Sequence, residues 1–127
     1  MAKKTLTISM SVFYLLAGLF HFINPVFYVG LVPESLDEKE FIIAISGLFE
    51  ILLGLFLLFR ETRKIAAIAI IIMLLIFLFT VHFPMALDFF DRGNPLLWFA
   101  ILRIPIQFVL IFWAYRVTKI RKESRFV

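Results

Sequence analysis

The sequence predicts an all-α integral membrane protein, a four-helix up-down bundle with a short interfacial helix between helices one and two. Three observations carry this. Hydrophobic residues make up 63% of the 127-residue chain, with 17 phenylalanines and a mean hydropathy of +1.03, more apolar surface than a soluble domain of this length can bury. Four apolar runs, 6–23, 41–59, 65–87 and 95–115, are each long enough to cross roughly 30 Å of hydrocarbon as a helix. None has the period-two alternation of a membrane strand, and lipid offers no partner to an open backbone, which leaves helices. The chain is read as one domain, 1–127.

The first run follows "MAKK" and so has the outline of a secretory signal. No small-x-small cleavage site follows it and the run is long for a signal's apolar region, so it is read as a retained span. After it comes "HFINP", where Asn24 and Pro25 suit an N-cap and first helical position. Gly30 can end the short helix they start and Pro33 blocks its continuation, which leaves Phe27 and Tyr28 at headgroup level.

The second span is introduced by "SLDE", in which Ser35 and Glu38 have the spacing of a capping box. A short middle loop, "FRETRK", then makes spans two and three an antiparallel hairpin. The fourth span opens at Asn94 and Pro95 in "GNPLLW", with Trp98 near one membrane interface and Trp113 near the other.

Charge orients the bundle. The N-terminus, the middle loop and the tail hold Lys3, Lys4, Arg60, Arg63, Lys64, Arg116, Lys119, Arg121, Lys122 and Arg125 against Glu61 and Glu123. The other two loops hold Lys39 and Arg92 against Glu34, Asp37, Glu38, Glu40, Asp88 and Asp91. The bias places both termini in the cytoplasm. The basic pI of 9.7 thus reflects topology and anionic lipid, and no nucleic-acid motif accompanies it. The absence of cysteine excludes disulfides, thiolate catalysis and Cys-bound metals.

Polar residues inside the spans are the candidates for function. Glu50, in "SGLFEILLGLF", lies roughly 14 Å beyond Phe41, and Arg103 roughly 12 Å beyond Pro95, at a rise of about 1.5 Å per residue. An unpaired charge at that depth costs about 2.5–3.5 kcal/mol or more, so the two are expected to meet as an ion pair inside the bundle. Ser46, Gly47, Glu50 and Gly54 share a face that admits a neighbouring helix closely. Phe99, Arg103 and Gln107 form one inward stripe, and Pro105 frees the carbonyl of Ile101 for the guanidinium. His21, with Tyr14, Ala17 and Gly18 on its face, and His82, beside Thr80 and Pro84, lie at the same end.

The polar set is therefore His21, Glu50, His82, Arg103 and Gln107, supported by Tyr14, Ser46 and Pro105. It outlines a cavity open toward the outer leaflet, with the inner half of the bundle almost purely apolar. Against this stands a purely structural role: an ion pair fixing helix register, and histidines bonded to neighbouring helices. A haem between His21 and His82 is chemically conceivable, but no second feature points to one, and no metal site is expected.

Four stretches together, "AGLFHFINPVFYVGLVP", "SGLFEILLGLFLLFRETRKIAA", "VHFPMAL" and "NPLLWFAILRIPIQFVLIFWAY", resemble the DoxX-like family of small bacterial membrane proteins over nearly the whole chain. The positions that carry the resemblance are Ala17, Gly18, His21, Phe22, Pro25, Pro33, Ser46, Gly47, Glu50, Gly54, Arg63, Arg103, Pro105 and Gln107. One departure is "VHFPMAL", where many members have an Asn-containing segment; His82 would be a local substitute. The resemblance implies a bacterial inner-membrane protein of four helices and, for some members, partnership with a membrane or cytoplasmic redox protein.

Three functions follow as alternatives. The first is a quinone- or lipid-binding subunit of a membrane redox system, with the tail among phenylalanines and the polar head at the histidines, Glu50, Arg103 or Gln107. No flavin, nicotinamide or metal motif accompanies it, so electrons would come from a partner. The second is a non-enzymatic scaffold or assembly factor, and the third a small proton-coupled transporter, against which Arg103 beside the carboxylate argues. The sequence leaves open whether the chain is an enzyme and whether it is a homo-oligomer.

Overall fold

The computed structural model describes residues 2–29 and 38–119. Its elements are α1 (Ala2–Ile23), α2 (Pro25–Val29), α3 (Lys39–Phe56), α4 (Arg60–Phe77), a π-turn (Leu78–His82), α5 (Phe83–Asp91) and α6 (Leu97–Thr118). The described residues are all-helical, with no strand among them. Three helices are long and apolar enough to cross a membrane: 4–23 within α1, the continuous 60–91 helix of α4, π-turn and α5, and α6. The fourth expected span is α3, an 18-residue helix that carries Lys39, Glu40 and Glu50.

The chain between α1 and α3 starts as expected. Asn24 separates α1 from a five-residue helix opening on Pro25; the expected stops at Gly30 and Pro33 lie outside the described residues. The capping box is not formed as read. It required Glu38 inside the helix, three residues past the cap, whereas α3 begins at Lys39 and Glu38 stands before it at φ 53° without a side-chain cap bond. Ser35 is outside the described residues.

The middle loop is shorter than "FRETRK" suggests, because α4 starts at Arg60 and only Leu57–Phe59 connect the hairpin. The last turn of α3 leaves carbonyls without helical donors, and the first turn of α4 supplies them. Thr62 Oγ1 donates to Phe56 O at 2.7 Å and Arg63 Nε to Leu57 O at 3.1 Å. Arg63, counted above as a loop charge, is only 5% exposed. A cation at a helix C-terminus is favoured by the helix dipole.

At the opposite end, Gly93 at φ 65° terminates α5. Its N–H bonds Phe90 O and that of Asn94 bonds Phe89 O, a Schellman motif that needs the left-handed residue glycine supplies. Asn94 Oδ1 then accepts from Leu96 N at 2.8 Å, so Asn94 and Pro95 form a turn and α6 begins two residues later than expected.

The third expected span is one helix interrupted. Pro84 lacks an N–H, and its ring would clash with the carbonyl of Thr80 in an α-helix. The wider π-turn at Leu78–His82 accommodates both faults just before it. Thr80 Oγ1 folds back onto Ile76 O at 2.7 Å, a bond that also loosens helices.

Packing pairs α1 with α3 and α4 with α6. One apolar core, around Met10, Leu57, Ala67, Ile70, Leu110 and Ala114, fills the end near the α3–α4 turn; a smaller one of Met85, Phe89 and Ala100 fills the other end. The first end is not purely apolar as expected, because Thr7, Ser11 and Arg63 are buried there. Many large side chains face outward, among them Leu16, Ile65, Phe79, Trp98, Val109 and Phe112. Small and polar residues such as Ala67, Ala114, Ser11 and Gln107 share the interior with these cores.

Candidate functional site

The site grows from the crossing of α1 and α3. Gly18 and Gly47 face each other so closely that a Cβ on Gly18 would stand 2.6 Å from Gly47 O, and one on Gly47 2.7 Å from His21 Cβ. Each glycine precedes an ionisable residue by three positions, His21 on α1 and Glu50 on α3. In antiparallel helices these two are offset by about 9 Å along the axis, six residues at about 1.5 Å. Helical side chains lean toward their own N-terminus, so His21 and Glu50 lean toward one another and close the gap. His21 Nδ1 stands 2.9 Å from Glu50 Oε2, at ion-pair distance though off the line of a hydrogen bond.

Tyr28 covers this pair. Its ring stacks on that of His21 with centroids 3.9 Å apart and an interplanar angle of 28°, and edge contacts to Phe20 and Phe27 hold it. The sequence places Tyr28 at headgroup level; its packing on His21 draws it inward, and burial, then the charge of Glu50, raise its phenol above its ordinary pKa, opposed by Arg103. It therefore keeps its proton and acts as a donor.

The opposite wall comes from the π-turn and α6. His82 is buried, and its Nε2 lies 3.5 Å from Arg103 Nη2, long for a hydrogen bond. A guanidinium can only donate, so Nε2 faces it as acceptor and the ring proton sits on Nδ1, a buried atom without a partner. Gln107, one turn below Arg103, is 1% exposed and donates Nε2–H to Leu74 O at 2.8 Å, tying α6 to α4.

Between these walls is a cavity of about 180 Å³, placed between the two apolar cores. Tyr14, His21, Tyr28, Ser46, Glu50, His82, Arg103 and Gln107 give it polar groups, and Phe13, Phe27, Phe77 and Phe99 apolar ones. Around it, Tyr14 Oη, His21 Nδ1, Glu50 Oε2 and His82 Nδ1 are buried without a hydrogen-bond partner. Among the described residues no group of His, Asp and Glu could hold a metal ion.

The structure thus brings His21, Glu50, His82, Arg103, Gln107, Tyr14 and Ser46 to one cavity, and leaves Pro105 exposed. Three details differ from expectation. Glu50 is held by His21 and makes no ion pair with Arg103, because the glycine crossing sets α1, and not α6, against its face. The guanidinium meets His82, with no bond to the Ile101 carbonyl. The Ser46 hydroxyl is committed to its own helix, donating to Ile42 O at 2.8 Å.

Two features escaped the sequence reading: the inward position of Tyr28, and the buried bond from Ser11 Oγ to Gly54 O at 2.6 Å. "AGLFH" and "SGLFE" each carry a Gly followed at three residues by an ionisable group, a likeness that does not by itself say the two glycines meet.

No curated protein matches the chain. No solved structure matches it. A family model described as a domain of unknown function, DUF8561, matches residues 10–118. This corrects the resemblance to the DoxX-like family, for which no domain is found. Small residues, glycine and aromatics at helical spacing, punctuated by proline, are what any tightly packed apolar helices need, so these motifs do not separate one such family from another. The chain belongs to the DUF8561 family, whose match spans every helix of the bundle from the middle of α1 to the end of α6.

Proposed function

We propose that the protein is a multi-pass membrane protein of four spans, α3 being the fourth, which holds a lipid-like molecule by its polar head in the central cavity. Three described helices have the length and apolarity of spans. At 18 residues α3 rises about 27 Å, its Lys39 and Glu40 sit in its first turn, and Glu50, its one interior charge, lies against His21. The outward-facing Leu, Ile, Val and Phe side chains suit lipid, and the charge bias favours cytoplasmic termini.

The observation that carries the ligand reading is the cluster of buried polar atoms without partners around one cavity, Tyr14 Oη and His82 Nδ1 foremost. Each such group costs about 1–3 kcal/mol when left unsatisfied, and a ligand head can satisfy several together. The cavity walls Phe13 and Phe27 are also exposed at the surface of the bundle, a route for an apolar tail. A redox role loses its support with the corrected resemblance.

The test is extraction. Protein drawn from its native membrane into lipid nanodiscs is analysed by mass spectrometry of co-purified small molecules, alongside Tyr14→Phe and Arg103→Met. An amphiphile enriched over empty discs in the wild type and depleted in both folded variants supports ligand binding. Folded proteins with no enriched molecule in any sample would favour a scaffold with a purely structural polar core.

A further inference from the structure

We infer that the head group is an anion, a carboxylate or phosphate borne on a single aliphatic chain, and that Arg103 is the residue that binds it. The inference rests on the ligand reading above and concerns which molecule that cavity takes. Charge is the first argument. Glu50 stands 2.9 Å from His21, and among the described residues no carboxylate lies within ion-pair distance of Arg103, whose one polar contact is His82 Nε2 at 3.5 Å. A guanidinium carries five N–H donors and no acceptor, so nearly all its donor capacity is open in a half-buried site.

The other open groups have the same polarity. Tyr14 Oη and His82 Nδ1 are protonated donors without acceptors, and both residues line the cavity with Arg103. An acceptor-rich, negatively charged head satisfies donors and counter-charge together, and planar carboxylate or phosphate oxygens match the guanidinium fork. A cationic head meets Arg103 as a like charge while the one carboxylate is already engaged. A neutral carbonyl accepts from one or two donors and leaves most of the guanidinium's five unanswered.

Size sets the rest of the molecule. A cavity of about 150 Å³ takes a benzene-sized guest, so the 180 Å³ here accepts a head group and the first few methylenes of one chain. The remaining chain leaves past Phe13 and Phe27, which reach the apolar exterior.

The test uses full-length protein in phosphatidylcholine nanodiscs at mildly alkaline pH, with empty discs as the partition control. The probes are dodecanoate, dodecyl phosphate, methyl dodecanoate and dodecyltrimethylammonium. Saturable binding of at least one anion, about tenfold or more tighter than the ester and the ammonium, is expected from charge-assisted hydrogen bonds. Whichever anion binds more tightly identifies the source, fatty-acid-like or phosphate-bearing. Arg103→Gln should weaken the anion by a similar factor and the ester far less, with Arg103→Lys recovering part of the anion's loss. Equal binding of acid and ester by the wild type would overturn the anionic head while the cavity reading stands, a comparison that needs no folded variant. Saturable binding of none of the four probes would overturn the inference and count against single-chain ligands altogether.

Discussion

Gly18 rests on Gly47 backbone to backbone, and neither position has room for a methyl group. Alanine at either should force α1 and α3 apart, with an overpacking penalty of about 1–3 kcal/mol. Gly54→Ala should be milder, since its added Cβ would meet nothing nearer than Ser11 O at 3.1 Å. Thermal unfolding of the three variants in the same lipid discs ranks them. If all three were equally tolerated, the two helices would not be in backbone contact.

Double-mutant cycles should assign Glu50 its partner. His21→Ala combined with Glu50→Gln should show a coupling of about 0.5 kcal/mol or more, as side chains in contact do. Glu50→Gln combined with Arg103→Met should couple less, because both groups line the cavity without touching. The opposite order would restore the direct pair expected from the sequence.

Ser11→Ala should be destabilising although it removes a single hydroxyl. Gly54 O would ordinarily accept from Leu58 N, but that N–H turns to Leu55 O as α3 ends, and Ser11 Oγ takes its place. Side-chain hydrogen bonds between membrane helices average about 0.6 kcal/mol and reach about 1.7; a bond to a carbonyl its own helix has released belongs at the upper end. A variant as stable as the parent would mean that the carbonyl finds another donor.

The cysteine-free chain suits topology mapping. Single cysteines at Glu61, Asp91 and Lys119 replace exposed residues at successive ends of the long helices. With four spans and cytoplasmic termini, a membrane-impermeant maleimide added to intact cells should label the Asp91 variant alone. If α3 lay on the surface with the N-terminus still inside, Glu61 and Lys119 would be labelled and Asp91 protected.

What could be read from the sequence was whatever depends on one helix at a time. Apolar runs gave the long helices, the Asn24–Pro25 pair gave α2, and the spacing of Phe99, Arg103 and Gln107 gave a stripe that does line the cavity. Depth along the helices placed Glu50 and Arg103 at one level, as their shared cavity agrees. The pairing failed because equal depth says nothing about which neighbour a face meets. Only the glycine crossing decides that, and it gives Glu50 to His21. Arg63 misled for a related reason: a charge beside a turn looks solvated until the carbonyls of α3 are seen to need it.

The π-turn at Leu78–His82 holds one residue more than an α-helix needs to cover the same rise. It is geometrically equivalent to a one-residue insertion absorbed in place, so that Arg60–Phe77 and Phe83–Asp91 each keep the facing their neighbours require. Deleting outward-facing Phe79 would restore the α-helical residue count but return the Pro84 ring to the carbonyl of Thr80, and would disturb the cavity wall at Val81 and His82. The extra residue therefore serves the proline and the binding wall together, and the length of the chain at that point is tied to both.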